Sequence, residues 1–254
     1  MDVNHLIDYL GLPKRCVLGN VIFKKTFTEQ GNLNKAEKQL LNEQIEKVIW
    51  HYSMKPEILN IDAYKDEERE YPEIEVIEVK VASKDKVKKV VEMIMSTIPY
   101  PMVLEVSYQD EELLALGEQF INHNDASKNV LKNIIIMDSW VNKANISLKE
   151  QSFLEDIHIS KLSSRNLYKL YQDLVNQVIR FNASLLTNGY IQGVNTEQIK
   201  YQYEVITALE QQIENLKGKV KKESQFNKRL ELNVQIKRLE QQRTQMINEL
   251  QGGE

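Results

Sequence analysis

Three residues have the types and spacing for phosphodiester chemistry: Asp62, Glu78 and Lys80. The run from Glu73 to Val81 alternates, with Ile77, Val79 and Val81 on one face and Ile74, Val76, Glu78 and Lys80 on the other, and so predicts a strand. The Glu78 carboxylate and the Lys80 ammonium then point the same way. Asp62 falls in a second expected strand, Glu57 to Tyr64, across a charged turn at Lys65 to Glu70. Two carboxylates on neighbouring strands can hold Mg2+, and a lysine beside them can orient the attacking water or steady the phosphate. That is the D-ExK pattern of metal-dependent nucleases, with Mg2+ as cofactor. Against it, charges alternate on many half-exposed strands, Glu73 and Glu75 are equally acidic without a motif, and no Pro-Asp precedes the pattern. The favoured expectation is a charged strand surface with no catalytic residue and no cofactor.

Other chemistries find less support. The nine glycines are scattered and form neither GxGxxG nor GxxxxGK[ST], so nucleotide hydrolysis is not expected. The four histidines, His5, His51, His123 and His158, lie far apart without HExxH spacing, so no metal centre is expected of them. No GxSxG elbow marks a nucleophile. Lys24 and Lys25 read as a solvated pair more readily than as an anion contact. The single cysteine, Cys16, excludes an internal disulfide and a thiolate cluster and points to a reducing cytoplasm. The N-terminus lacks the basic start and apolar core of a signal peptide, and no apolar run approaches the roughly 18 residues of a membrane span.

The elements that would position these residues form an α+β chain. A short helix at Val3 to Leu10 ends at Gly11 and Pro13, and Cys16 to Phe27 reads as extended or irregular. Asn34 with Glu37 offers a capping box for a helix whose apolar face is Leu40, Leu41, Ile45, Val48 and Ile49, closed by Trp50 and Tyr52. Ser83 opens a helix to Ile98, stopped by Pro99 and Pro101. Met102 to Tyr108 and Glu112 to Glu118 form an expected hairpin turning at Gln109 to Glu111, and Asn133 to Val141 a further strand. This order implies a small mixed β-sheet with covering helices over residues 1–146. Residues 147–194 hold a linker and a long helix with Leu167, Tyr171, Leu174, Val178, Phe181 and Leu185 at 3-4 spacing.

Residues 195–250 read as coiled coil. One seam runs Ile199, Gln202, Ile206, Leu209, Ile213, Leu216 and Val220; a second runs Leu232, Ile236, Leu239, Arg243, Met246 and Leu250. Carrying the first forward reaches Glu223, Asn227, Leu230 and Val234, two residues out of step with the second. The expectation is a long-helix coiled-coil region that reverses near Lys221 to Phe226 into an antiparallel hairpin, with the long helix beside it. Residues 251–254 are expected to be a frayed tail. Net charge is −4, so no global pull toward nucleic acid exists. The helical region is locally basic, however, and Lys217, Lys221, Lys222, Lys228 and Arg229 could follow a phosphate backbone. The bland alternative is a solvated face, with Glu223, Glu231 and Glu240 offsetting part of the charge.

The segment Lys221-Lys222-Glu223-Ser224-Gln225-Phe226-Asn227-Lys228-Arg229-Leu230-Glu231-Leu232-Asn233 resembles a signature of a bacterial family catalogued as domain of unknown function 4391. Gly11-Leu12-Pro13-Lys14, Ile45-Glu46-Lys47-Val48-Ile49-Trp50 and Ile98-Pro99-Tyr100-Pro101 resemble its other landmarks, in order along nearly the whole chain. The resemblance implies genes beside SNF2-type helicases and adenine-specific DNA methyltransferases in defence loci, and no catalytic residue. The expected function is a cytoplasmic, non-enzymatic adaptor that docks on such a partner, or self-associates, through Leu209, Ile213, Leu216, Leu232, Ile236 and Leu239. The alternatives are the nuclease and a DNA-binding protein using the basic helices.

Overall fold

The computed structural model describes residues 5–122, 129–192 and 195–251, and its first unit, Met1–Val178, is built on a seven-stranded mixed sheet. In chain order the elements are β1 (Val17–Val21), α1 (Lys24–Gln30), α2 (Lys35–Gln44), β2 (Ile45–Met54), α3 (Pro56–Leu59), β3 (Tyr64–Lys65) and β4 (Glu70–Tyr71). There follow β5 (Ile74–Val81), α4 (Val87–Thr97), β6 (Met102–Tyr108), β7 (Glu111–Ile121), β8 (Asn129–Ile136), β9 (Val141–Asn142), α5 (Leu148–Asp156) and α6 (Leu167–Leu185). The strands lie in the order β1-β2-β5-β6-β7-β8, with β9 beside β7 and β3-β4 apart as a two-stranded pair. Among the described strands only β5 and β6 run parallel. A parallel pair needs a crossover, and α4 supplies it, burying Val90, Val91 and Ile94. On β5, Ile74, Val76, Ile77, Val79 and Val81 are all buried, as on a strand covered on both faces.

The capping box at Asn34 and Glu37 forms as expected, and each side chain meets the other residue's amide. The helix it starts is shorter than the periodicity implied. It stops at Gln44, and Ile45 to Met54 becomes β2, held by β1 on one side and β5 on the other. Ile45, Val48, Ile49, Trp50 and Tyr52 are β-branched or aromatic, and pairing on two sides overrides a spacing that both states can accept. The strand expected at Glu57 to Tyr64 is also corrected. Pro56 stands at the first position of the short helix α3, and Asn60 ends it with φ +55. The charged turn beyond it is real: Asp66 accepts from the Glu68 and Arg69 amides between β3 and β4. The β6-β7 hairpin matches the expected one, whereas the strand expected at Asn133 to Val141 divides into β8 and β9.

The start of α6 is tied to the sheet by Tyr171, whose hydroxyl contacts Met102 O at 2.8 Å and Gly117 O at 3.0 Å and accepts from the Gly117 amide at 2.9 Å. The second unit, Ile179–Glu254, holds α7 (Thr196–Lys222) and α8 (Phe226–Gln251), which pack together. Three residues, Glu223 to Gln225, separate them. Ala183, Ile191, Ile199, Ile206 and Leu250 form a buried cluster there, flanked by Leu186, Tyr203, Met246 and Ile247. Val3, His123 and the expected tail at Gly252 and Gly253 lie outside the described residues.

Candidate functional site

Three glutamates sit on adjacent strands of the sheet. Glu78 on β5 is in register with Glu105 on β6, and Ser107 on β6 with Glu112 on β7. Because side chains alternate along a strand, Glu78, Glu105, Ser107 and Glu112 share one face. All four are buried. The 3-10 turn Leu6–Leu10 lies over them and presents His5 at its start. His5 Nδ1 is 3.1 Å from Glu105 Oε2 and 3.2 Å from Glu112 Oε1.

The backbone of the turn completes the contact. The first amides of any helical turn lack an internal acceptor. Here Leu6 N–H donates to Glu112 Oε2 at 2.9 Å and Ile7 N–H to Glu105 Oε1 at 3.1 Å. Lys143 Nζ donates to Glu112 Oε1 at 2.7 Å. On the Glu78 side, Ser107 Oγ donates to Oε1 at 2.6 Å, and His51 Nε2, from β2, lies 3.0 Å from Oε2. The His5 and His51 rings are 5.0 Å apart between centroids.

These neighbours set the charges. The Glu105 and Glu112 carboxylates hold His5 up to about 10 against its burial. Burial pushes Glu105 above the usual carboxylate range. Burial also works against ionised Glu112 and Glu78. His5, Lys143 and the Leu6 amide nevertheless keep Glu112 low, and His51 and Ser107 bring Glu78 to about 2. Two groups of three ligand atoms converge within 4.8 Å: His5, His51 and Glu78, and His5, Glu105 and Glu112. Such a set can retain a proton among its members or hold a divalent cation.

Of the residues singled out for nuclease chemistry, only Glu78 belongs to this cluster. Lys80 shares its face but is half-exposed and lies 3.6 Å from Glu46. Asp62 is off the sheet, on the exposed stretch after α3, where its carbonyl accepts from the Leu167 amide. β5 lies between β2 and β6, so the neighbours of Glu78 are His51 and Glu105 and not Asp62. Sequence reasoning missed Glu105, Glu112, His5 and His51 as a group. The available signal was a lone carboxylate within the apolar run Met102-Val103-Leu104-Glu105-Val106, since an unpaired charge is rarely buried.

In the helical unit, Ile213 and Ile236 are buried, and Leu209, Leu216, Leu232 and Leu239 are half-buried or nearly so. Glu210 pairs with Arg243 at 2.7 Å and Lys217 with Glu240 at 3.6 Å. A different row remains open: Phe226, Leu230 and Val234 are 75%, 56% and 46% exposed. They stand at i, i+4 and i+8 on α8 and therefore on one side of it. Arg229 stands three residues from Phe226, and Lys237 and Arg238 stand three and four from Val234, so these three flank the row. Lys228 is on the other side of α8 and Lys221 and Lys222 end α7, and none of the six pairs with an acid among the described residues.

Residues 10–242 match a family described as a domain of unknown function, DUF4391. The chain belongs to that family. No curated protein and no solved structure matches it. In this DUF4391 protein the landmark Gly11-Leu12-Pro13-Lys14 follows the turn that covers the glutamates, with Gly11 at φ +63. Ile45 to Trp50 is the first six residues of β2, and Lys221 to Asn233 spans the end of α7, the connection and the first two residues, Phe226 and Leu230, of the exposed row of α8. No helix among the described residues is long and apolar enough to cross a membrane.

Proposed function

We propose that this DUF4391 protein is a non-enzymatic accessory subunit of a bacterial DNA-targeting defence system. Its helical region is an antiparallel coiled-coil hairpin that docks on an acidic face of a helicase or methyltransferase partner in the cytoplasm. The observation carrying this reading is the row Phe226, Leu230 and Val234, exposed and flanked by Arg229, Lys237 and Arg238, which have no acidic partner among the described residues. A phosphate backbone would be served by the cations alone. Three apolar side chains in one helical row, with cations beside them, fit a protein groove that has an apolar floor and an acidic rim. The seam from Leu209 to Leu239 is largely taken up between α7 and α8, so docking uses the opposite side of α8. The partnership with SNF2-type helicases or adenine-specific methyltransferases rests on the family resemblance.

Co-purification with the helicase or methyltransferase of the same host tests the proposal. Leu230→Asp should lose the partner while the chain remains folded, and Lys80→Ala should retain it. Retention by Leu230→Asp together with Phe226→Asp would remove the docking row from consideration.

A further inference from the structure

We propose that His5 Nδ1, Glu105 Oε2 and Glu112 Oε1 form a binding site for one divalent transition-metal ion of the zinc class. The site is distinct from the docking row and does not depend on it. Its first support is a buried atom without a hydrogen bond. Glu105 is fully buried, and its Oε2 accepts no hydrogen bond. His5 Nδ1, also buried, makes none either, although it lies 3.1 Å from that oxygen. The atoms face one another at ion-pair distance without hydrogen-bond alignment. A buried carboxylate oxygen left this way costs free energy, and a cation between the donors would remove that cost.

Spacing gives the second support. Donors on a tetrahedral ion at about 2.0–2.1 Å lie roughly 3.3 Å apart, and His5 Nδ1 stands 3.1 and 3.2 Å from the two carboxylate oxygens. The remaining oxygens, Glu112 Oε2 and Glu105 Oε1, are already fixed by the Leu6 and Ile7 amides, as outer partners fix metal-binding carboxylates, and Lys143 donates to the ligand oxygen Glu112 Oε1 itself. The neighbouring triad of His5, His51 and Glu78 offers no such unsatisfied oxygen, because Ser107 and His51 meet both oxygens of Glu78. An imidazole nitrogen with two carboxylates suits zinc and its neighbours; Mg2+ prefers oxygen ligands and near-octahedral geometry. Bound there, the ion would fasten the turn Leu6–Leu10 to β6 and β7.

The test uses the untagged full chain, stripped with chelator and titrated with Zn2+ against a chromophoric competitor, with Mg2+ in parallel. One zinc per chain is expected, no Mg2+ at the same concentration, and at least tenfold weaker zinc binding in Glu105→Gln. His158→Asn, a change at a histidine outside the cluster, should leave binding as it was. Ring-nitrogen NMR of the unaltered chain reads the site without any variant: zinc should move the His5 nitrogens and leave those of His158 in place. Unmoved His5 nitrogens, or equal zinc affinity in Glu105→Gln, would overturn the proposal and leave an imidazole-carboxylate ion pair in its place.

Discussion

Trp50 on β2 donates its indole N–H to Glu75 Oε2 on β5 at 2.7 Å. Glu75 is almost wholly buried on the face of β5 opposite Glu78. Burial pushes its carboxyl from 4.5 up to about 7; Trp50 and Ser53 oppose the shift and Glu73 adds to it. The folded chain therefore holds this proton more tightly than the unfolded chain. The stability it confers is complete below about pH 4.5 and is lost as pH rises through 7. The shift corresponds to about 3 kcal/mol at most. Glu75→Gln keeps the shape and removes the titration. Its stability relative to the parent should rise by up to that amount between pH 4 and pH 8, read by urea unfolding with tryptophan fluorescence. A difference that stays constant with pH would mean that Glu75 does not titrate in this range.

Gly11 offers a second, purely steric prediction. Its φ of +63 is left-handed, and a Cβ there would run into the ring of His158. Gly11→Ala should cost about 1–3 kcal/mol, combining backbone strain with displacement of the ring. In a double-mutant cycle, adding His158→Ala should recover the clash and leave the strain of about 1 kcal/mol. Full recovery would show that the backbone conformation is not costly for alanine.

These two positions show what was legible in the chain. Gly11 followed by Leu12-Pro13 signals its own break, because glycine and proline act locally. The strand at Glu73 to Val81, though not its partner, and the hairpin at Gln109 to Glu111 were equally readable, since alternation and turn chemistry are local. Trp50 was not: Leu41, Ile45, Val48 and Ile49 before it stand at helical spacing, and only pairing with β1 and β5 makes the stretch strand. The glutamate cluster was hidden for a related reason. Glu78, Glu105 and Glu112 meet only after a parallel crossover sets the register of β5 against β6, and His5 arrives from a turn almost a hundred residues away from Glu105. Local spacing cannot report such a meeting.

The proposed hairpin predicts a distance. Spin labels at Gln211 and Gln241 would lie roughly 45 Å apart on one unbroken helix at 1.5 Å per residue. The ion pairs Glu210–Arg243 and Lys217–Glu240 put the labelled positions close to each other. Double electron–electron resonance should accordingly return a distance well under half of that length, and a 45 Å distance would rule the hairpin out.

The last prediction separates the seam from the open row. Ile213 and Ile236 are buried within the helical unit, so Ile213→Asp should unfold that unit by placing a charge where none is compensated. Leu230→Asp alters an exposed side chain and should leave the helical circular dichroism and its melting within about 0.5 kcal/mol of the parent. Only the second change therefore reports on docking rather than on folding. Salt separates the remaining accounts. Docking through Phe226, Leu230 and Val234 depends mainly on burial and should weaken only modestly as salt rises. Binding of a nucleic-acid backbone through Lys221, Lys222, Lys228 and Arg229 should fall steeply, because each neutralised phosphate releases a counterion. Replacing those four by glutamine should slow association with the protein partner and leave most of its affinity. If affinity instead collapses with salt and with the glutamines, and survives Leu230→Asp, the helices bind a polyanion and the docking proposal fails.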